Sequence, residues 1–182
     1  MRKVIAAINM TLDGYCDHTA ITPDEAIHDH YSGLLKASGT ALYGRVTYEL
    51  MTYWQTILKN PTGEKSMDEF AVAIDRIPKI VFSHTLKNTG WETARLANRD
   101  IMEEVSALKQ QPGKDILVCS PGLIITIMKL KLIDEFQLCI HPVITGSGLP
   151  LFKNINERVT LKLIRTKTFA SGAVIHYYSG GK

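Results

Sequence analysis

The chain has 182 residues, 45% of them hydrophobic and 21% charged, with a net charge of +3. Those proportions describe one globular domain whose core needs no covalent staples. The charge is too mild, and Lys and Arg too scattered, for a nucleic-acid binder, and no apolar stretch reaches membrane-spanning length. Three cysteines, Cys16, Cys119 and Cys139, are odd in number, widely spaced and without a CxxC. They argue against a disulfide framework or a structural zinc site and for a reducing compartment. The N-terminal apolar run is broken by Asn9 and Asp13, too early for a signal peptide. A cytoplasmic protein without a metal centre is the expectation.

Lys3 to Asn9 is apolar nearly throughout, as a central strand would be. Thr11-Leu12-Asp13-Gly14 breaks it. Asp24 to Ala37 has a helical stripe of Ala26, Ile27, Tyr31, Leu34 and Leu35, opened by Thr22 or Pro23, with Asp24 and Glu25 in its first turn and Ser38-Gly39 at its end. Thr40 to Tyr43 predicts a second strand, Gly44-Arg45 a turn, and Val46 to about Leu58 one helix. A capping box at Ser66 and Glu69 predicts a helix to Ile77, ended by Pro78. Lys79 to Phe82 predicts a third strand and Trp91 to Arg95 a shorter fourth. Asn98 to Gln110 reads as helix and Asp115 to Cys119 as a buried strand.

Ser120-Pro121-Gly122 then opens a helix, with a capping serine, a proline where no N–H is needed, and a glycine that permits close approach. Glu135 to His141 alternates as a strand. Pro142 to Phe152 is a Gly-rich loop. Thr160 to Phe169 and Ala173 to Tyr178 form a hairpin, and Gly180 to Lys182 a tail. Strands alternating with helices, closed by a hairpin, imply an α/β fold: a mostly parallel sheet with antiparallel strands at one end.

In such sheets ligands lie at the carboxyl ends of strands. Three ends carry groups suited to phosphate. Gly44, Arg45 and Thr47 supply a turn, a guanidinium fork and a hydroxyl. Ser83 and Thr85 supply hydroxyls. Ser120, Gly122 and Leu123 open a helix whose N–H groups and dipole favour an anion. Each has a plainer reading: Arg45 in a surface ion pair, Ser83 and Thr85 closing a turn, Ser120 only capping a helix. The dinucleotide fingerprint GxGxxG and the Walker A motif are absent.

An ordered set of motifs runs along the chain: Asp13-Gly14, Gly44-Arg45-Val46-Thr47-Tyr48-Glu49, Val81 to Leu86, Leu132-Ile133-Asp134-Glu135, and Pro142 to Phe152. In that order they resemble the dihydrofolate-reductase-like superfamily. The nearest likeness is the C-terminal reductase domain of the bifunctional riboflavin-biosynthesis deaminase/reductase, in stand-alone form. The resemblance covers nearly the whole chain and implies one domain over residues 1–182, three-layered α/β/α with an eight-stranded mainly parallel sheet. It implies an NADPH-dependent reductase, commonly a homodimer. By analogy Arg45 and Ser83 meet the 2′-phosphate, and Thr47 and the Gly122 turn the pyrophosphate. Gly146 and Gly148 lie near the cofactor or the dimer contact. The family usually has paired glycines where this chain has Ser120-Pro121-Gly122, so one N–H donor is missing. No deaminase domain precedes the reductase part, so the expected chemistry is reduction alone.

The reacting groups follow less directly. In dihydrofolate reductases a carboxylate on the first helix holds the pterin, and by that analogy Asp29 is a candidate. Asp13, at the end of a central strand, is another, against a reading as a turn-forming Asp-Gly. His28 and His30 point to different sides of a helix. Three functions remain open: a reductase of a small pteridine- or pyrimidine-like substrate, the 5-amino-6-(5-phosphoribosylamino)uracil reductase of riboflavin synthesis, and a non-catalytic nucleotide-binding dimer.

Overall fold

The computed structural model describes residues 1–180, so the tail residues Gly181 and Lys182 lie outside the described residues. The elements run β1 (Val4–Thr11), α1 (Glu25–Ala37), β2 (Ser38–Gly44), α2 (Arg45–Met51), α3 (Tyr53–Lys59), α4 (Lys65–Arg76), β3 (Lys79–Phe82) and β4 (Ala94–Leu96). They continue as α5 (Ile101–Gln110), β5 (Asp115–Val118), α6 (Pro121–Lys129), β6 (Glu135–His141), β7 (Lys162–Thr168) and β8 (Val174–Ser179). The eight strands make one sheet in the order β4-β3-β2-β5-β1-β6-β8-β7. The five pairings from β4 to β6 are parallel, and only β6–β8 and β8–β7 are antiparallel.

The near-continuous apolar run of β1 follows from its position between β5 and β6, with both faces covered. Val4, Ala6, Ile8 and Met10 pack towards α5 and α6, against Val105, Leu108, Leu123, Ile124 and Ile127. Ile5 and Ala7 face the other way, with Leu35 of α1 and Ala73 and Ile74 of α4. A third cluster joins Ile27 of α1 to Cys139, Ile175 and Tyr177. Asp24 caps α1, its carboxylate accepting the Ile27 N–H at 2.9 Å, which satisfies one of the helix's free donors.

Four local expectations are corrected. The helix expected over Val46 to Leu58 is two, broken at Thr52, whose hydroxyl donates to the Glu49 carbonyl at 2.6 Å and tightens the turn. The Ser66–Glu69 capping box does not form, because the helix starts earlier, at Lys65. Glu69 pairs with Lys36 and Lys65 instead, and Asp68 takes the Thr62 and Gly63 N–H groups. α5 begins at Ile101 rather than Asn98, because Asp100 caps it through the Glu103 N–H at 2.8 Å. The fourth strand is Ala94–Leu96; Trp91 before it is buried, its indole N–H donating to Asp75 at 2.8 Å.

Candidate active site

Because β3, β2, β5, β1 and β6 are parallel neighbours, their carboxyl ends leave the sheet on one side. Reading along that edge, the chain presents Ser83 and Thr85, then Gly44, Arg45 and Thr47, then Ser120, Gly122 and Leu123, then Asn9 to Asp13, then His141 to Gly148. Strands separated in sequence thus bring the expected cofactor residues into one band. It crosses four inter-strand steps, roughly 19 Å at about 4.8 Å per step.

The local geometry differentiates these residues. The Ser120 hydroxyl does not cap α6; it accepts the Gly44 N–H at 2.9 Å and locks the β2 and β5 ends together. The α6 ladder begins with Ile124 N–H to Ser120 C=O at 2.9 Å, so the N–H groups of Gly122 and Leu123 precede it. Gly122 is exposed, and a Cβ there would meet nothing within 4 Å. Arg45 is exposed and bonded to both oxygens of Glu49 at 2.9 Å, an exchangeable i,i+4 pair. Thr47, two residues on in the same helix, is half-buried. The Ser83 hydroxyl accepts the N–H groups of Thr85 (3.1 Å) and Leu86 (2.9 Å), so it closes a turn at this edge.

Asp13 is engaged structurally. Its carboxylate accepts the Thr11 hydroxyl at 2.6 Å and the N–H groups of Gly146 (2.7 Å) and Thr145 (3.2 Å). These bonds, the Thr11 hydroxyl foremost, hold it below the ordinary carboxylate range. Leu12 N–H to Val143 C=O, Cys16 N–H to Leu149 C=O and Leu151 N–H to Gly14 C=O extend the contact. The loop after β1 and the loop after β6 are therefore zipped together. Gly146 (φ +70°) and Gly148 (φ +133°) take left-handed backbone there, and Gly148 packs on Tyr15. Asp29 stands apart: it is exposed and lines a separate concavity of about 330 Å³ with His30, Gly33, Arg165 and Tyr177, towards the β7–β8 hairpin.

The sequence reading missed a polar cluster under α1, on the same edge. Asn9 Oδ1 accepts from the Tyr31 hydroxyl at 3.3 Å and lies 3.0 Å from His141 Nε2. Cys139 Sγ is 3.6 Å from the same nitrogen. Burial lowers the His141 pKa, against the pull of Asp24, and raises Tyr31 well above the ordinary tyrosine range. Burial likewise pushes the Cys119 thiol, next along the edge, up to about 12. The cluster is uncharged near neutrality. One signal was available: Asn9 is the lone amide in an otherwise apolar strand. His28, on the same helix, packs against Trp54 and Phe70, while His30 turns towards Phe169 and Lys167.

Another concavity, of about 450 Å³, lies elsewhere, between the end of α6 and residues 155–160. Its charged groups, Lys129, Lys131, Glu157 and Arg158, are all exposed. The strand edge, where buried polar groups and helix-terminal N–H groups converge, is the better candidate.

Fold and edge together define an α/β domain that gathers polar side chains and a helix N-terminus at the carboxyl ends of its parallel strands. Comparison narrows this class. The RibD C-terminal domain family matches residues 2–175, and the chain belongs to that family. It is 36% identical to the uncharacterized protein YyaP of Bacillus subtilis (strain 168), over 98% of this chain and 96% of that protein. Its fold is that of a putative riboflavin biosynthesis protein from Shewanella sp. PV-4 (TM-score 0.74, 20% identity, 99% of each chain). It is also that of a pyrimidine reductase-like protein from Corynebacterium diphtheriae (TM-score 0.68, 13% identity, 100% of this chain and 92% of that one). The expected three-layer architecture, with eight strands and a C-terminal hairpin, is thus the one observed.

Proposed function

We propose that this chain is an NADPH-dependent reductase of a small pteridine- or pyrimidine-like heterocycle. The observation that carries the reading is the convergence of Arg45, Thr47, Ser83 and the open first turn of α6 on one strand edge, beside the Asn9 cluster. The fit to a phosphorylated dinucleotide rests on this chain's own groups. Gly122 leaves room for a phosphate against the N–H groups of the first turn. Arg45 exchanges its exposed Glu49 pair for the 2′-phosphate. Thr47 offers a hydroxyl to the pyrophosphate, and Ser83, already fixed in its turn, adds a second near Arg45. Bound NADPH supplies the hydride.

The protein's part in the reaction is alignment and exclusion of water. Asp13 holds the 145–148 loop against the end of β1 through its bonds to Thr145 and Gly146. That is a positioning role rather than proton transfer. Tyr31, Asn9 and His141 line the substrate end with neutral polar groups. Fluorescence titration with NADPH tests the reading. Saturable binding is expected, followed by oxidation of NADPH when dihydropteridine or aminopyrimidine substrates are supplied; no binding at millimolar concentration defeats it.

A second reading, supported by membership of the RibD C-terminal domain family, takes 5-amino-6-(5-phosphoribosylamino)uracil as the substrate. Complementation of a strain lacking that reductase tests it, and failure to complement in the face of confirmed NADPH oxidation removes this substrate alone. Cytoplasmic location and homodimerisation belong to the same proposal. Sedimentation equilibrium at a mass twice 20.3 kDa is the expected result for the pairing. Among the described residues no helix is long and apolar enough to cross a membrane.

A further inference from the structure

The connection from β6 to β7 has a long way to travel. Both strands are antiparallel to β8, so they run the same way, and the chain must return along the height of the sheet between them. It does so on the α6 side, where buried Leu151 and partly buried Leu161 join the core of Ile124, Ile127, Ile133 and Phe136. Between these two apolar anchors residues 152–160 form no helix or strand and stand off from the core. Under this strap remains a concavity of about 450 Å³, within the size range of small-molecule sites. Met128, Ile133 and Phe136 line it from the core, and Ile155 and Val159 from the strap.

The charged lining is one-sided. Lys129 and Lys131 stand at the α6 wall and Arg158 on the strap, against the single acid Glu157. None of these four side chains has an ion-pair or hydrogen-bond partner among the described residues. Lys129, in the last turn of α6, already answers the helix dipole. Lys131 is held at a cost. α6 closes with Lys131 N–H to Met128 C=O at 2.9 Å and Leu132 N–H to Ile127 C=O at 3.1 Å, which sets Lys131 at φ +57°. Glycine is the usual residue at that left-handed position, and a lysine there gains no contact within the fold. Asn154, the other non-glycine residue with positive φ among those described, is in the strap.

We infer that the concavity under the 152–160 strap is a second binding site, for a medium-chain acyl carboxylate: the apolar lining takes the chain, and Lys129, Lys131 and Arg158 take the carboxylate. The lining is aliphatic apart from Phe136, which suits a flexible chain better than a flat ring. Cations on both walls let one anion satisfy both, with a guanidinium fork on one side. The site lies at the C-terminal end of α6, and the Gly122 turn at its start. The inference is therefore independent of the reductase reading.

The probe is decanoate, titrated into the full chain by calorimetry below its micelle concentration and without NADPH. Acetate supplies the head without the tail, and decyltrimethylammonium the tail with the opposite charge. Decanoate should fill one saturable site per chain with a Kd below about 1 mM, and neither comparison compound should saturate in that range. Lys131→Gly removes one cation and relieves the left-handed backbone, so its Tm should not fall. Arg158→Gln removes another from an exposed side chain. Each should weaken decanoate roughly two- to fivefold, and the double variant about tenfold. Val159→Asp, at an exposed lining position, sets an acid against the ligand and should abolish binding. It carries the test alone if circular dichroism shows the double variant unfolded. The inference is overturned if decanoate does not bind wild type, if decyltrimethylammonium binds as tightly, or if the folded variants keep wild-type affinity.

Discussion

Gly122 separates what the fold needs from what the ligand needs. It has no left-handed backbone, and a Cβ there would meet nothing within 4 Å. Gly122→Ala in the first turn of α6 should therefore leave the fold intact and gain about 0.5 kcal/mol of helix propensity, about 1–2 °C in Tm. Gly122→Asp should be no worse for the fold, since a carboxylate near a helix N-terminus is favoured by about 0.3–1 kcal/mol. Both occupy the space assigned to a phosphate. Charges about 5 Å apart at a protein surface repel by about 1–3 kcal/mol, which is roughly 5- to 150-fold in Kd. The assay is NADPH titration by fluorescence, with thermal denaturation of the same samples. The expected pattern is Gly122→Ala weakening NADPH several-fold, Gly122→Asp weakening it further, and neither lowering Tm. Unchanged NADPH affinity in Gly122→Asp would refute the assignment of this turn to the cofactor.

Arg45→Ala should weaken NADPH by about 1.5–3 kcal/mol while leaving NADH affinity nearly unchanged, since the guanidinium is assigned to the 2′-phosphate. The exposed Glu49 pair predicts a stability change within about 0.5 kcal/mol, checked by urea denaturation. Asp134 accepts the Val4 N–H at 2.8 Å and the Nζ of buried Lys109. Asp134→Ala leaves both donors short of a partner and should cost about 2–4 kcal/mol, read as a lower urea midpoint. Burial lowers the pKa of His28 and His141, and that of His30 to about 4, so each is favoured neutral in the fold. The unfolded chain takes up these protons first, so stability is full above about pH 6.5 and falls as pH drops from there towards 4. Tm measured across that window should fall, and His30→Gln should flatten part of the slope. Cys16, Cys119 and Cys139, all pushed up to about 12 by burial, should resist iodoacetamide at pH 8 until the protein is unfolded.

Local pattern alone determined the alternation of strands and helices, the central place of β1, the helical stripe of α1, the start of α6 at Pro121, and the terminal hairpin, although the caps differ: Asp24, not Thr22 or Pro23, caps α1, and the Ser120 hydroxyl goes to Gly44. Each is written in periodicity and in the conformational limits of Gly and Pro, which act over a few residues. The motif order carried the family. Local signals misled where two compete: Ser66 and Glu69 have the spacing of a capping box, but the helix starts one residue earlier, at Lys65, and Glu69 pairs with Lys65 one turn back and with the distant Lys36. Tertiary structure alone decided which candidates meet. The parallel order β3-β2-β5-β1-β6 aligns Ser83, Arg45 and Gly122, ties the Ser120 hydroxyl to Gly44, and turns Asp13 into the clasp of a distant loop. It also placed Tyr31 and His141 on Asn9, residues separated by up to 132 positions in sequence. Such encounters have no local period to announce them. They exist because neighbouring parallel strands end on the same edge, and that adjacency is set by how the sheet is wound, not by any short stretch of chain.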